Sequence, residues 1–420
     1  MTITPTIAIV DGQIVDGTGG AAIPDGLVLI ENGKITHAGK KSAKAIPRGA
    51  QVIDAAGASV LPGLMDVHVH ISLNGPSNIQ RELMSRPVGQ VAFEIARNLR
   101  ETIAAGTTTI RTVSDMAHLD IAARDSINKG VMPGPRMHPC GKGLTTTGGH
   151  GDLLPCWICQ SHGDVSEMVD GVDAVRTAVR RQVKAGASWI KLFQTGGVID
   201  PHGRIDAEEF SPSEFDAAFE TAKLAGVPVA VHAHNKVAIL HSIRSGCRSI
   251  EHGMHFDEEC AEVAREHGAF LVPTLTVMDR ILTLGAENGV PQSTIDNVRE
   301  RTSKHREYVK YAFDIGANIA SGTDAGSMLT PHGSAGREVV QLVKCGLTPE
   351  QAIFVATKNT ARLLKVDDRL GTLQAGMLAD VIVVEGDVLK QPEKLEAAEN
   401  MRHVLIGGRP VAAGGHALAS

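Results

Sequence analysis

The sequence predicts an α/β protein in which a (β/α)8 barrel, or TIM barrel, is joined to a small β-sandwich domain built from both ends of the chain. Between about residues 59 and 365, apolar strand-like runs alternate with helical stretches, which is the pattern of βα units and a parallel sheet. Eight such runs can be counted, the number that closes a barrel. The 420 residues are enough for a barrel of about 250 residues and a smaller domain beside it.

Short, alternating apolar stretches separated by turns predict the small β domain at both ends of the chain. Asp11-Gly12 and Asn32-Gly33 are hairpin-type turns among the first of these stretches. A similar pattern returns in Ala379–Val384 and His403–Gly408, so both ends are expected to contribute to one sheet layer. The predicted boundaries are 1–62 for the N-terminal part of the β domain, 63–366 for the barrel and 367–420 for the C-terminal part.

The barrel runs should all end at the same face of the barrel, where the chemistry of such folds takes place. Their ends are expected near His70, Ser114–Asp115, Gly141, Gln194–Thr195, His234, His252, Thr276 and Asp324. Helices are predicted between them at Val91–Ala105, Val172–Ala185, Ser213–Ala225 and Thr294–Phe313, and a last one at Thr348–Leu364. Polar residues at these strand ends are therefore the candidates for function.

The composition of the chain favours small molecules as the partners of this protein. The net charge is -6, aromatic residues make up 3% of the chain and long Lys/Arg runs are missing, which argues against nucleic acid. The sequence contains no apolar run of about 18 residues, so no membrane span is expected. The first residues lack an export signal and the six cysteines are scattered, which predicts a cytoplasmic protein. The alternative is an exported protein whose signal has been removed.

Two histidines one residue apart, His68 and His70, close the first barrel run. Side chains at positions i and i+2 of a strand project from the same face and can reach one metal ion together. An isolated pair of this kind is equally well a polar strand end facing solvent. Because the strands of a parallel barrel are buried on both sides, two imidazoles there need polar partners, and a metal would supply them.

Lys191 interrupts an apolar stretch in the expected fourth barrel strand. A buried lysine is costly and tends to lose its charge. It can pair with a carboxylate in the barrel, which is the common structural role. Alternatively, its neutral amine takes up carbon dioxide as a carbamate, whose two oxygens bridge two metal ions as a carboxylate does.

Three more histidines and an aspartate complete the set of candidate ligands. His232 and His234 end the fifth run on the same face, so either can ligate; we favour His232 as the ligand and place His234 beside the substrate. His252 ends the sixth run and Asp324 the eighth. An aspartate in such a position often caps a helix, but glycines near Asp324 favour a catalytic role because they allow close approach of a ligand.

With these residues in place, the sequence resembles the amidohydrolase superfamily, in its imidazolonepropionase-like and metal-dependent carboxypeptidase, or prolidase, branch. The motifs that carry the resemblance span nearly the whole chain. They are Pro62–His70, Gly106–Thr109, Thr147–Gly151, Ile190–Leu192, His232–Asn235, Ile250–Gly253, Ser321–Gly326, Pro331–Gly333 and Gly376–Val383.

The resemblance implies a set of roles for these side chains. His68, His70 and Asp324 would hold the more buried of two zinc ions, His232 and His252 the other, and N6-carboxylated Lys191 would bridge them. His150 matches a Gly-Gly-His-Gly loop of the family and would contact the carbonyl oxygen or the substrate carboxylate; the alternative is a plain turn residue. His332 is a weaker candidate for the same pocket.

The implied reaction is hydrolysis of an amide by water activated between two zinc ions; other divalent metals are alternatives. Asp324 would accept the proton of the water and return it to the leaving amine, while His150 or His234 stabilises the oxyanion. Relatives in this branch release the C-terminal residue of dipeptides or N-acyl amino acids, and some hydrolyse ochratoxin A to release phenylalanine. Barrels of this kind often form homo-oligomers, which we expect here.

The sequence also leaves two alternative functions open and contains one pair of closely spaced cysteines. A mononuclear hydrolase of cyclic C–N bonds, like imidazolonepropionase or a deaminase, would need the His-x-His pair, one more histidine and an aspartate, but not Lys191. A catalytically silent scaffold protein would be expected to have lost some ligands. Cys156 and Cys159 have no second pair at matching spacing, so we expect ordinary thiols, or a local disulfide in an exported protein, rather than a structural zinc site.

Overall fold

The computed structural model describes residues 6–154, 157, 165–198 and 205–418, and these residues form an α/β structure with parallel and antiparallel strands. The strands are β1 (Ile7–Ile14), β2 (Ile23–Glu31), β3 (Lys34–Lys40), β4 (Gln51–Asp54), β5 (Ala58–Pro62), β6 (Leu64–Val69), β7 (Thr107–Thr112), β8 (Arg136–His138), β9 (Gly143–Thr145), β10 (Ser166–Met168), β11 (Ile190–Phe193), β12 (Val229–Ala233), β13 (Ser249–His252), β14 (Phe270–Val272), β15 (Asn318–Ile319), β16 (Val381–Glu385), β17 (Met401–Ile406), β18 (Arg409–Ala413) and β19 (His416–Ala417).

The helices lie mainly between the strands of the central region. They are α1 (Ile79–Ser85), α2 (Val88–Ala104), α3 (Leu119–Asn128), α4 (Val172–Ala185), α5 (Pro212–Leu224), α6 (Lys236–Arg244), α7 (Glu258–His267), α8 (Leu275–Leu284), α9 (Gln292–Asp314), α10 (Ala335–Lys344), α11 (Pro349–Phe354) and α12 (Thr360–Leu364). The helix predicted at Val172–Ala185 is observed with the same bounds, because Gly171 and Gly186, both at positive φ, begin and end it.

Strands from both ends of the chain form one sheet, in the order β19-β18-β17-β16-β5-β1-β2-β3 with β4 paired to β1. The two ends meet where β5 pairs with β16 in antiparallel register, Val60 opposite Val383. Buried residues of both ends, among them Ile9, Val28 and Leu405, form one apolar cluster. Burial of this apolar surface stabilises the association of segments that are far apart in the sequence.

The central strands form two parallel sheets, β6-β7-β8 and β10-β9-β11-β12-β13-β14-β15. Backbone hydrogen bonds also connect their edges. The segment that follows β15 runs beside β6, where the amide of Val67 donates to the carbonyl of Ser321 at 2.9 Å. On the other side, the amide of Ser188, just before β11, donates to the carbonyl of Pro139 at 2.8 Å. The strand ends with candidate ligands are thereby brought together.

The eighth predicted run ends at Ile319 rather than near Asp324, because the residues that follow it run beside β6.

Two other predicted elements differ from the structure. The seventh run ends at Val272 rather than near Thr276, because Pro273 follows it. Helix α8 then begins, and the carboxylate of Glu338 accepts hydrogen bonds from its first backbone amides. The helix predicted at Thr348–Leu364 is interrupted by a π-helical turn at Val355–Asn359. There the hydroxyl of Thr360 donates to the carbonyl of Val355, five residues back, and accepts from the amide of Ser321.

Arg111 on β7 joins the two central sheets from inside. Its side chain is fully buried, donating to the carbonyl of Val67 at 2.7 Å and to the hydroxyl of Ser249 at 2.8 Å. It also forms a salt bridge of 2.7 Å with Glu251, which is equally buried. Loss of one partner would leave an uncompensated charge in the interior, which is far more costly than loss of a surface pair.

We therefore expect Arg111→Met to lower the free energy of unfolding by about 3–5 kcal/mol, measured by urea denaturation. The matched control is Arg299→Met, which removes an exposed pair with Asp296 on α9. That control should change the free energy of unfolding by less than about 1 kcal/mol. Equal effects of the two substitutions would contradict the structural role of Arg111.

Candidate metal centre

The His-x-His pair lies at the end of β6 with both rings held by hydrogen bonds. Nδ1 of His68 donates to Oε2 of Glu251 at 2.7 Å, and Nδ1 of His70 donates to the carbonyl of Ser114 at 2.9 Å. The Nε2 atoms are left on the side of Asp324, whose Oδ1 lies 3.7 Å from Nε2 of His68 and 3.2 Å from Nε2 of His70. One donor atom from each of these three residues lies within 4.8 Å of the others, the spacing of a shared metal ion.

Asp324 occupies this position because its backbone is tied to β6. Its amide donates to the carbonyl of His68 at 2.9 Å. Asp66 accepts hydrogen bonds from the hydroxyl and the amide of Thr323, the latter at 3.0 Å, so it clamps the two segments together. Asp324 does not cap a helix, since α10 begins only at Ala335. Its φ of 64° lies in the left-handed region, which a non-glycine residue adopts at a cost of about 1–3 kcal/mol and often at a functional site.

The histidines of β12 and β13 face the same region. The ring centre of His252 lies 4.6 Å from that of His68 and 4.6 Å from that of His232. Nδ1 of His252 lies 2.7 Å from the hydroxyl of Thr274, while Nδ1 of His232 makes no hydrogen bond with any described residue. His234 is slightly farther from His252, at 5.4 Å between ring centres. The rings of β12 and β13 therefore form one cluster with the pair on β6.

Lys191 lies on β11 with 1% of its surface exposed. Among the described residues, its Nζ has no hydrogen-bond partner and forms no salt bridge with a carboxylate. The pairing with a barrel carboxylate that we considered from sequence is therefore not observed, because Glu251 is bonded to Arg111 and His68 instead. Burial lowers the pKa of Lys191 to about 8, so a substantial fraction of its amine is neutral near pH 8.

The electrostatics of the cluster suit a divalent cation. Burial lowers the pKa of His68 to about 4 and the pKa values of His232 and His252 well below the ordinary value, so these imidazoles are neutral and keep a lone pair. Burial alone would raise the pKa of Asp324, but its contact with His70 and the neighbouring charges lower it, and the carboxylate is ionised. Neutral imidazole and ionised carboxylate are the forms that zinc binds.

His150 packs against the cluster from the loop after β9. Its ring stacks on that of His232 with 4.3 Å between centres and 29° between planes, and it meets Phe193 edge-on at 5.3 Å. The backbone amide of His150 donates to Oε1 of Glu209 at 2.6 Å. A Cβ at Gly197 would lie 2.3 Å from Cε1 of His150, so only glycine permits this approach. The side chain of His150 thus faces the cavity.

A cavity opens above these residues. Its polar lining includes His68, His70, His150, His232, His234, His252 and Asp324. His332, the weaker candidate, instead hydrogen-bonds through Nε2 to the carbonyl of Leu73 at 2.8 Å and lines a separate depression with Arg337. The histidines at the strand ends, Asp324 and the loop histidine therefore border one space, while Lys191 and His332 are not among its lining residues.

Sequence reasoning missed Glu251, Ser114 and Thr274, which hold the ring nitrogens of the candidate ligands. A signal existed for Glu251, since a carboxylate directly before His252 in a buried strand needs a partner as much as Lys191 does. Ser114 holds His70 only through its backbone carbonyl, so its residue type could not have indicated this role. Thr274 has an unremarkable sequence context after Pro273.

The cysteines contribute no ligand to the described cluster. Cys140, Cys247, Cys260 and Cys345 are free thiols. Cys156 and Cys159 lie outside the described residues. Among the described helices, none combines the length and apolar character that a bilayer span requires.

Comparison with known proteins identifies the family. The sequence model of the Amidohydrolase family matches residues 59–411. This chain belongs to the amidohydrolase family. It is 31% identical to ochratoxinase from Aspergillus niger over 368 residues, covering 83% of this chain and 75% of that protein. It is 26% identical to imidazolonepropionase from Rhizobium rhizogenes over 383 residues, covering 87% and 88% of the two chains.

Solved structures agree with this assignment. The crystal structure of a Xaa-Pro dipeptidase with bound methionine superposes with a TM-score of 0.84 at 31% identity, covering 96% of this chain and 99% of that one. The predicted family is therefore confirmed, as is the prediction of a hydrolase that acts on C–N bonds. The fold is of the type found in TIM-barrel amidohydrolases, and the family generally binds metals.

We expect zinc to stabilise the protein through His68, His70 and Asp324. After removal of metal by a chelator, free Zn²⁺ at 100 times its Kd should raise the free energy of unfolding by about 2.7 kcal/mol, because it binds the folded state alone. In Asp324→Ala the same Zn²⁺ concentration should raise the thermal unfolding temperature much less. Asp296→Ala, at an exposed position on α9, is the control. An undiminished zinc effect in Asp324→Ala would contradict this site.

Proposed function

We propose that the chain is a binuclear zinc amidohydrolase that releases the C-terminal amino acid from N-acyl amino acids or dipeptides. The observation that carries this proposal is the buried amine of Lys191, which has no hydrogen-bond partner among the described residues and lies on the strand that pairs with β12, where His232 is. A buried polar group without a partner is costly. As a carbamate, Lys191 would carry a negative charge, which two nearby cations would stabilise.

The proposed ligand set follows the two halves of the cluster. His68, His70 and Asp324 would hold one zinc ion, and His232 and His252 would hold the other. Carboxylated Lys191 would supply oxygen ligands to both. The shorter ring distance to His252 supports the choice of His232 over His234 as a ligand. His234 then remains beside the substrate.

The zinc ions, when bound, would polarise the scissile carbonyl and lower the pKa of an attacking water from about 15.7 toward 7. Asp324 accepts the proton of that water and passes it to the leaving nitrogen, because an amide nitrogen must be protonated before it departs. His150 and His234 border the cavity and donate hydrogen bonds to the oxygen on which negative charge develops.

The names of the relatives support an amide whose leaving group is an amino acid. One relative is an ochratoxinase and one solved structure is a Xaa-Pro dipeptidase. We include hydrolysis of ochratoxin A to ochratoxin α and phenylalanine among the proposed activities. The match covers 83% of this chain and 75% of the ochratoxinase.

We further propose that β6, β7, β8, β11, β12, β13, β14 and β15 close into a (β/α)8 barrel within residues 63–366. The hydrogen bonds of Val67 to Ser321 and of Ser188 to Pro139 support closure on both sides. The parts 1–62 and 367–420 form the small β domain. Its proposed sandwich is supported by the apolar cluster that residues of β1, β2 and β17 share.

A second candidate is a mononuclear hydrolase of cyclic C–N bonds. It is favoured by His68, His70 and Asp324, each of which has a donor atom within 4.8 Å of the other two. No other group of three ligand-type residues in the described part of the chain has this spacing. The similarity to imidazolonepropionase is a further argument for it. This candidate gives Lys191 no role in metal binding.

Replacement of Lys191 separates the two candidates. We expect Lys191→Ala to lower the zinc content from about two ions per chain to one or fewer, measured by elemental analysis, and to abolish most activity. A short carboxylic acid such as formate should restore part of the activity, because it replaces the missing bridge. Lys304→Ala on exposed α9 is the control. Unchanged zinc content and activity in Lys191→Ala would exclude the bridging carbamate.

A substrate panel tests the reaction itself. The zinc-loaded protein is assayed with N-acyl amino acids, Xaa-Pro dipeptides and ochratoxin A, with released amino acid as the readout. At least one of them should reach a kcat/KM of about 10⁴ M⁻¹ s⁻¹ or more. Ammonia release from heterocycles with no release of amino acids would contradict the proposal and favour the second candidate.

A further inference from the structure

One wall of the cavity consists of aliphatic side chains from the β6 side of the fold. Leu73 follows β6, Ile79 begins α1, and Leu153 and Val165 lie between β9 and β10. All four pack in a single apolar cluster. Their exposed atoms form a continuous apolar surface beside His70.

A second aliphatic wall comes from a different part of the chain. Val198 lies in the loop after β11, and Val277 and Met278 lie in the first turn of α8. These three pack in a separate apolar cluster that also contains Met254, close after His252. The second wall therefore adjoins the β13 side of the metal centre.

The polar residues lie between the two walls. Histidines and Asp324 provide most of the polar lining, and none of the described residues that line the cavity is a lysine or arginine. Lys191 is buried and is not among the lining residues. A charged substituent placed against either wall would lose hydration and would meet no lysine or arginine among the described lining residues, whereas an apolar one is favoured.

We propose that the substrate carries an apolar group on each side of the scissile bond, one packed against each wall. This proposal rests on the proposed amide hydrolysis, which places the carbonyl at the histidines and Asp324. The two halves of an amide then extend in different directions from the metal centre. The acyl group occupies one wall, and the side chain of the leaving amino acid occupies the other.

Three related substrates test this arrangement. N-hexanoyl-L-leucine has an apolar group on both sides, N-succinyl-L-leucine has an acidic acyl group, and N-hexanoyl-L-aspartate has an acidic leaving side chain. The kcat/KM of the first should exceed that of each of the others by at least about 10-fold, since a pocket distinguishes even one methylene by about 10–200-fold. Equal kcat/KM values for the three would overturn the proposal.

Two variants test whether the walls serve different halves of the substrate. Ile79→Lys and Met278→Lys each place a cation on one wall. Each should raise the kcat/KM of one acidic substrate at least fivefold, and the two variants should favour different acidic substrates. Leu224→Lys, at an exposed position at the end of α5, is the control and should change neither. Improvement of the same acidic substrate by both variants would overturn the assignment of two separate walls.

Binding measurements separate this proposal from the reaction it rests on. Calorimetry with the wild-type protein, after removal of metal by a chelator, gives the affinities of the three compounds without turnover and needs no variant to fold; hydrolysis is then measured with the zinc-loaded protein. Tighter binding of N-hexanoyl-L-leucine with no hydrolysis would support the two walls and contradict the proposed function. Hydrolysis of all three at equal rates would support the proposed function and contradict the two walls.

Discussion

The buried carboxylate of Glu251 is the constraint on which the rest of the site depends. One oxygen accepts from the guanidinium of Arg111, which joins the two parallel sheets, and the other accepts from Nδ1 of His68. Burial alone would raise the pKa of Glu251, but the Arg111 charge and the His68 hydrogen bond hold it well below its ordinary value. The same ionised group therefore joins the core to the site and fixes the tautomer of His68, leaving Nε2 on the side of Asp324.

The other candidate ligands are positioned in a similar way by neighbouring strands and loops. The Ser114 carbonyl orients His70, and Asp66 holds the segment that carries Asp324. His252 and Asp324 both have left-handed backbone conformations, with φ near 65°. Such strain persists only where surrounding contacts determine it, so the donor atoms are arranged before a cation arrives and little reorganisation is needed on binding.

The sequence was sufficient to predict the α/β class, the helix at Val172–Ala185 and the histidines and the aspartate that border the cavity, because a polar residue at the end of a buried strand is conspicuous. It was insufficient for the pairing of Glu251 with Arg111, which are distant in the chain and meet only through the strand order. The apolar walls escaped prediction for another reason. They lie on loops and first turns of helices, where no periodicity distinguishes a lining residue from a core residue.

The central claim is that Lys191 and the histidine cluster hold two cations together. Anomalous X-ray diffraction at the zinc absorption edge, from crystals of the zinc-loaded protein, tests it most directly. The account predicts two peaks about 3.5–4 Å apart, one beside His68, His70 and Asp324, with electron density for a carboxylated Lys191 between them. A single peak beside an unmodified Lys191 amine would contradict it.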